Sequence, residues 1–247
     1  MIRILGLRVD QVNMEQALAR LSEAIAAFRA GKSRGAQVVT INPEGIWLAR
    51  GDEQLRRIIE EAYLVTPDGS GVLWAAARQG KILDERVTGI DLLYRLCERA
   101  AEEQWRVYLL GAKPGIADEA AARLRLAYPH LLIVGRENGY FRDREEQVIC
   151  EIAASRPDIL FAALGMPYQE KWLAANIEKL GCAVMIGVGG SFDVIAGRVR
   201  RAPRLLQRLR LEWLWRLLHD PRRWRRFLAI PRFMAAVRRE IKNNNEK

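Results

Sequence analysis

The chain has 247 residues, half of them hydrophobic, and a formal net charge of +10, which suits a globular protein with a sizeable core and not a disordered chain. Three scattered cysteines and two histidines argue against a disulfide framework and against a Cys/His zinc site. No stretch approaches 18 uncharged apolar residues, and the N-terminus carries charge too early for a signal peptide, so we expect a protein of the cytoplasmic side.

Strand and helix patterns alternate along most of the chain. After a short strand pattern at 2–9 and a helix pattern at 13–29, continuous apolar runs predict strands at 37–41, 62–66, 105–111, 131–135, 158–164 and 183–189. Amphipathic patterns predict helices near 43–60, 69–79, 90–103, 114–127, 143–155 and 167–180. This alternation predicts an α/β fold with a mostly parallel, Rossmann-like sheet that has helices on both faces.

The last fifty residues differ from the rest in charge. Residues 198–247 hold 16 of the 40 Lys and Arg but 4 of the 30 Asp and Glu, whereas residues 1–197 carry a net charge of −2. Tryptophans and phenylalanines alternate with the arginines in this tail. Arginine binds phosphate with two hydrogen bonds, and tryptophan prefers a membrane–water interface. The sequence therefore predicts a catalytic body at 1–197 and a basic helical appendage at 198–247 that contacts a phosphate-bearing partner at a membrane.

Ligands of parallel α/β sheets bind beyond the carboxyl ends of the strands, so the segments that follow the strands are the candidate site. These segments are rich in Gly, Pro and polar residues, as a backbone that approaches a ligand requires. They read TINPEG (40–45), TPDGSG (66–71), LGAKPG (110–115), LGMPYQE (164–170) and GVGGSFD (187–193).

Asp68 is the candidate catalytic residue. It lies between a predicted strand and a predicted helix, where a carboxylate can act as the general base for an attacking hydroxyl. The alternative is a structural helix cap, for which Asp before Gly-Ser-Gly is well suited. Thr40 and Asn42 can bind a sugar hydroxyl or acetamido group, and their alternative role is turn chemistry before Pro43.

Other residues of these segments are candidates for binding a nucleotide diphosphate. Gly189 and Gly190 offer unhindered N–H groups at a helix start, although close helix–strand packing favours the same glycines. Gln169 is a candidate for binding the nucleotide or the sugar, and its alternative is an ordinary surface glutamine. Arg86 either steers phosphate or forms a structural ion pair with Asp91.

Two motifs are absent from the sequence. It contains no Asp-x-Asp, the paired carboxylates that usually hold a metal on a nucleotide-sugar diphosphate. It also lacks G-x-x-x-x-G-K-[ST], and neither glycine cluster completes G-x-G-x-x-G. We therefore expect no metal and no cofactor, with arginines of the tail supplying the positive charge.

Taken together, the segments resemble the WecG/TagA/CpsF glycosyltransferase family. The resemblance runs from about Thr40 to Arg226 and rests on seven motifs in order: TINPEG, TPDGSGV, ERVTGIDL, YLLGAKPG, PDILFAALGMPYQEKW, GVGGSFDVIAGRVRRAP and EWLWRLLHDPRRWRR. It implies inverting, metal-independent transfer of an N-acetylmannosamine-type sugar from a UDP donor to polyprenyl-diphosphate-linked N-acetylglucosamine. It also implies action on the inner face of the cell membrane, in the synthesis of teichoic acid or a related envelope glycan.

The resemblance also implies roles for individual residues. Asp68 matches the catalytic base, and Thr40, Asn42, Arg86 and Gln169 match pocket positions. In the tail, the family's arginines close over the donor diphosphate, and the matching positions here are Arg216, Arg223 and Arg226.

The pattern of the tail is consistent with those roles. A helix pattern runs over 203–219, and Asp220-Pro221 ends it and begins another, since proline fits the first helical position. Arg223 and Arg226 are three positions apart and therefore share one helix face. The family would have Glu where this chain has Asp220.

Two alternatives to this interpretation remain. The basic helix can serve only to hold anionic lipid, at about 1 kcal/mol per cation near the surface. In a different class, the chain can be a nucleic-acid-binding protein with an arginine-rich arm. The helically spaced Trp and Leu of the tail argue against a solvated arm, so we expect no nucleic acid. The sequence leaves an oligomer possible.

Overall fold

A computed structural model describes residues 1–200, 202–203, 206, 215 and 228–245. The strands are β1 (Ile2–Ile4), β2 (Leu7–Val9), β3 (Ala36–Ile41), β4 (Leu64–Pro67), β5 (Arg106–Gly111), β6 (Leu132–Glu137), β7 (Ile159–Ala163) and β8 (Val184–Gly187). The helices are α1 (Met14–Arg29), α2 (Pro43–Ala49), α3 (Glu53–Glu61), α4 (Ser70–Arg78), α5 (Gly89–Glu102), α6 (Ile116–Ala127), α7 (Glu145–Ala154), α8 (Tyr168–Asn176), α9 (Ser191–Ile195) and α10 (Ala229–Asn245), with a 3₁₀ turn at Arg142–Arg144.

Strands β3 to β8 form one parallel sheet in the order β4-β3-β8-β7-β5-β6. Successive side chains of a strand point to opposite faces. On β3 and β7, Val38 and Phe161 pack into the apolar cluster of one face, whereas Val39 and Leu160 pack into clusters of the other. Both faces are therefore buried, which explains the uninterrupted apolar runs and confirms the predicted α/β class.

The structure corrects two predicted elements. Residues 2–9 are not one strand but an antiparallel hairpin of β1 and β2, in which Leu5 and Gly6 take positive φ angles of 51° and 80° at the turn. Two consecutive positive φ angles are those of a tight hairpin turn. The predicted helix near 43–60 is divided into α2 and α3, because Asp52 starts a new helix by accepting a hydrogen bond from the Leu55 N–H at 3.0 Å.

The C-terminal helix α10 packs on α2 and α4. Phe233 and Val237, four positions apart on one helix face, are fully buried in the same apolar cluster as residues of those two helices. Glu240 accepts hydrogen bonds from the Leu5 N–H at 3.2 Å and from Gln79 Nε2 at 3.1 Å. This part of the basic appendage is thus attached to the body, and the division at 197/198 stays a prediction.

No helix in the described part of the chain combines the length and apolarity needed to cross a lipid bilayer.

Candidate active site

The strand order brings four of the predicted ligand-binding segments together at one edge of the sheet. Because β4, β3, β8 and β7 are neighbours and parallel, the segments that follow them emerge side by side. These carry Asp68, Asn42, Gly189 and Gln169, respectively, and Thr40 lies near the end of β3. The predicted candidates in the body therefore meet at one edge, as expected for an α/β ligand site.

Asp68 lies directly after β4. Its backbone N–H donates to the Ile41 carbonyl at 2.8 Å, which extends the pairing of β3 and β4 by one residue. Its carboxylate Oδ2 accepts from the Gly89 N–H, the first residue of α5, at 3.4 Å. The cap of α4 is Gly69 at φ 94°, without a side-chain cap hydrogen bond. The capping role considered for Asp68 at α4 is therefore not the one observed, and the carboxylate lies instead at the positive end of α5.

Gly89 connects Asp68 to Thr40. A Cβ atom on Gly89 would lie 3.2 Å from Thr40 Oγ1, so a larger residue there would press on the Thr40 hydroxyl, and 3.5 Å from Val188 Cα, an ordinary contact distance. Thr40 is buried, and its hydroxyl donates to the Gly187 carbonyl at 3.1 Å. Sequence reasoning did not select Gly89, and its position after Thr88, which caps α5, was the one available signal.

Asn42 lies beside the Asp68 segment and caps α2. Its side-chain oxygen accepts from the Gly45 N–H at 2.8 Å, with Pro43 at the first helical position. The start of α4 packs closely on this turn, since a Cβ on Gly71 would lie 2.5 Å from Pro43 Cγ. The turn chemistry considered for Asn42 is thus observed for its oxygen, and sugar binding through its amide stays a prediction.

Gln169 is not a surface residue, because only 3% of it is exposed. Its Oε1 accepts from the Gly165 N–H at 3.0 Å and from the Gly189 N–H at 3.1 Å, so one amide joins the segments after β7 and β8. The Gly189 N–H therefore donates within the protein. A Cβ on Gly190 would meet open space, which leaves room for a ligand beside that residue.

Glu170 follows Gln169 and is a buried carboxyl that sequence reasoning missed. Only 1% of it is exposed, and its Oε1 accepts from Gln169 Nε2 at 2.8 Å. Within the described part of the chain, its Oε2 is buried without a hydrogen-bond partner. Burial disfavours the charged form and raises the pKa of Glu170 to about 7, although the Gln169 hydrogen bond opposes this shift.

Arg86 lies in the segment that leads into α5. The next residue, Val87, donates its N–H to the Pro67 carbonyl at 3.0 Å, which places the Arg86 backbone beside the end of β4. Asp91 accepts a hydrogen bond from the Thr88 hydroxyl at 2.6 Å.

The predicted tail arginines, Arg216, Arg223 and Arg226, lie outside the described residues. Among the residues that are described, no three His, Cys, Asp or Glu side chains come together in a way that could hold a metal ion.

An α/β sheet with polar, glycine-rich segments at the carboxyl ends of its central strands has the arrangement in which open α/β proteins bind their ligands. The chain belongs to the glycosyl transferase WecG/TagA/CpsF family, whose sequence profile matches residues 2–247.

Curated relatives of the chain share one name, N-acetylglucosaminyldiphosphoundecaprenol N-acetyl-beta-D-mannosaminyltransferase. The chain is 39% identical to that protein of Bacillus spizizenii strain W23 over 206 residues, which are 83% of this chain and 80% of the relative. It is 37% identical to the protein of Bacillus subtilis strain 168 over 209 residues, 85% and 81% of the two chains. The protein of Staphylococcus aureus strain MW2 is 34% identical over 245 residues, 98% and 94% of the two chains.

Proposed function

We propose that this glycosyltransferase moves an N-acetyl-β-D-mannosaminyl group from a UDP donor to N-acetylglucosaminyl-diphospho-undecaprenol. The observation that carries the proposal is the identity of 34–39% with transferases named for that acceptor and that sugar, in one case over 98% of this chain. The product is a lipid-linked disaccharide for teichoic acid or a related envelope polymer. The family membership favours this function over nucleic-acid binding.

Asp68 is the proposed general base. Its carboxylate removes the proton from the acceptor hydroxyl as the oxygen attacks the anomeric carbon from the side opposite the leaving UDP, and this attack inverts the configuration. The position of Asp68 supports this role, since it follows β4 at the edge of the sheet where ligands bind, and the Gly89 N–H donates to its Oδ2 at 3.4 Å. The position of Thr40 on the other side of Gly89 supports its place in the same pocket.

UDP departs with additional negative charge, and we propose that Arg216, Arg223 and Arg226 of the tail stabilise it together with Arg86 and N–H groups near Gly190. Arginine then performs the electrostatic role that a divalent metal performs in other transferases. We expect activity to survive EDTA; a strict requirement for added magnesium or manganese would contradict this arrangement.

The tail also supports a location on the inner membrane face. The acceptor is lipid-linked, and the arginines and tryptophans of residues 198–247 have the composition of a segment that binds an anionic interface.

The direct test of the function is a transfer assay with a short-chain, water-soluble analogue of the lipid acceptor. UDP-N-acetylmannosamine should yield a disaccharide product, with UDP-N-acetylglucosamine and the corresponding uronic acid donor as comparisons. If only the uronic acid donor is used, the enzyme acts in the synthesis of a different envelope polymer. A lack of transfer from every UDP-sugar, combined with salt-dependent binding to DNA or RNA, would favour the nucleic-acid alternative.

A further inference from the structure

The pair formed by Gln169 and Glu170 connects three strands of the sheet. The Glu170 carbonyl accepts from Gln37 Nε2 of β3 at 2.9 Å, and a Cβ on Gly187 of β8 would lie 2.8 Å from Glu170 Oε1. The Glu170 carboxyl can therefore lie directly against β8, because Gly187 has no side chain in its way. The segment after β7 is the third partner, through Gly165.

The orientation of the Gln169 amide decides whether these contacts form. Its oxygen must face the N–H groups of Gly165 and Gly189, since a rotated amide would point its own N–H groups at both donors. Glu170 Oε1 faces the amide nitrogen at 2.8 Å and can accept from it both in the ionised carboxylate and as the carbonyl oxygen of the neutral acid. The carboxyl therefore favours one of the two amide orientations.

We propose that Glu170 is a positioning residue for sugar-donor binding, which acts by holding the Gln169 amide so that the segments after β7 and β8 keep their places at the site. This inference rests on the proposed function, because the donor is expected to bind between those segments. It also explains a costly feature of the fold: a carboxyl that is buried with one oxygen unpaired in the described part of the chain would otherwise be unfavourable.

Two substitutions separate positioning from structural support. Glu170→Met keeps a similar volume and removes the acceptor. Glu170→Gln keeps an oxygen that can accept from Gln169 Nε2. Its NH₂ group would take the place of Oε2, which has no hydrogen-bond partner in the described part of the chain, so two buried donors would be left unsatisfied and the melting temperature should fall. If Glu170 has a purely structural role, the KM for the donor should change in step with the melting temperature of each variant. If it is a positioning residue, the donor KM should instead depend on whether position 170 still has a hydrogen-bond acceptor.

We expect Glu170→Met to raise the KM for the UDP-sugar about tenfold, the effect of one lost hydrogen bond, with the KM for the acceptor unchanged. Glu170→Gln should keep the wild-type KM for the donor. The double variant Gln169→Met/Glu170→Met should match Gln169→Met, because Glu170 acts through Gln169. If Glu170→Met is not obtained as a folded protein, Glu170→Ala serves the same comparison.

Hydrogen exchange gives a second measurement that does not depend on activity. In Glu170→Met, the amides of Gly165 and Gly189 should exchange about tenfold faster. The Val188 amide, which donates to the Ala162 carbonyl at 2.9 Å, is the matched control and should keep its rate. Glu170→Gln should protect all three amides as the wild type does.

The inference is overturned if Glu170→Met keeps the wild-type donor KM, if both amides keep their protection, or if the Gln169 and Glu170 effects multiply. Failure of the proposed function looks different: wild-type protein would then transfer no sugar, and the exchange rates alone would decide whether Glu170 orients the amide.

Discussion

Replacing Asp68 by Asn separates the catalytic role of this residue from a structural one. A positioned general base contributes about 10²- to 10⁴-fold, so turnover should fall by at least that lower factor. The fold should change little, because Asn has nearly the size of Asp and its side-chain oxygen can still accept the hydrogen bond from the Gly89 N–H. We therefore expect a loss of less than about 1 kcal/mol in the free energy of unfolding, within the range of one ordinary hydrogen bond.

Asp52→Asn is the matched control, since it makes the same substitution at an aspartate that caps a helix and does not follow a strand of the sheet. Asp52 caps α3 through the Leu55 N–H at 3.0 Å and pairs with Lys171 Nζ at 2.6 Å. Losing part of these contacts should cost about 1 kcal/mol, or about 2–4 °C in melting temperature for a chain of this size, with normal turnover.

The assay measures single-turnover transfer from UDP-N-acetylmannosamine to a soluble acceptor analogue, beside thermal unfolding and UDP binding. Asp68→Asn should bind UDP and melt nearly like the wild type while transferring sugar at least about a hundredfold more slowly. A variant that transfers at the wild-type rate and melts several degrees lower would refute the general-base role and assign Asp68 to structural support.

Three further predictions address the tail, the C-terminal helix and the buried carboxyl. Alanine at Arg216, Arg223 or Arg226 should each cut turnover about ten- to a hundredfold with a soluble acceptor and no membrane, whereas Arg34→Ala should not; loss on vesicles alone would assign these arginines to lipid binding. Phe233→Ala should lower the free energy of unfolding by about 3–5 kcal/mol in urea titrations, and Leu126→Ala, which is 82% exposed, by under about 0.5 kcal/mol; equal effects would contradict the packing of α10. The folded-state pKa of Glu170, about 7, lies above its ordinary value of 4.5, so its contribution to stability is complete below pH 4.5 and is lost as the pH rises through 7, about 3 kcal/mol in total. Urea unfolding between pH 5 and pH 8 should show this loss in the wild type but not in Glu170→Gln, and parallel curves would mean that the carboxyl is not protonated in the folded protein.

The sheet and its ligand edge were predictable from the sequence because they depend on local pattern. Buried parallel strands give uninterrupted apolar runs, and the residues that follow them are marked by Gly, Pro and short polar side chains. The hairpin at 2–9 was missed because Leu5 takes the positive φ angle at the turn, where Asn or Asp would have been a recognisable signal.

The residues missed at the site depend on neighbours that are distant in sequence. Gly89 matters because it lies between Asp68 and Thr40, and Glu170 matters because β8 has a glycine at 187. No local pattern reports such contacts. The packing of α10 was hidden for a different reason: its composition is strongly basic, and two residues, Phe233 and Val237, are fully buried.

The packing of α10 has a consequence for the segment that carries the predicted arginines. That segment begins after α9, which follows the central strand β8, and it ends at α10, which lies on the helices that start at Asn42 and just after Asp68. Both of its ends therefore join described parts of the body, so the contact that we propose between its arginines and the donor would be an intramolecular event with a high effective concentration. A chain tethered twice loses less entropy on closing over a ligand than a free arm does. Lengthening the segment with a flexible insert should consequently weaken donor binding gradually, whereas freeing α10 should weaken it abruptly.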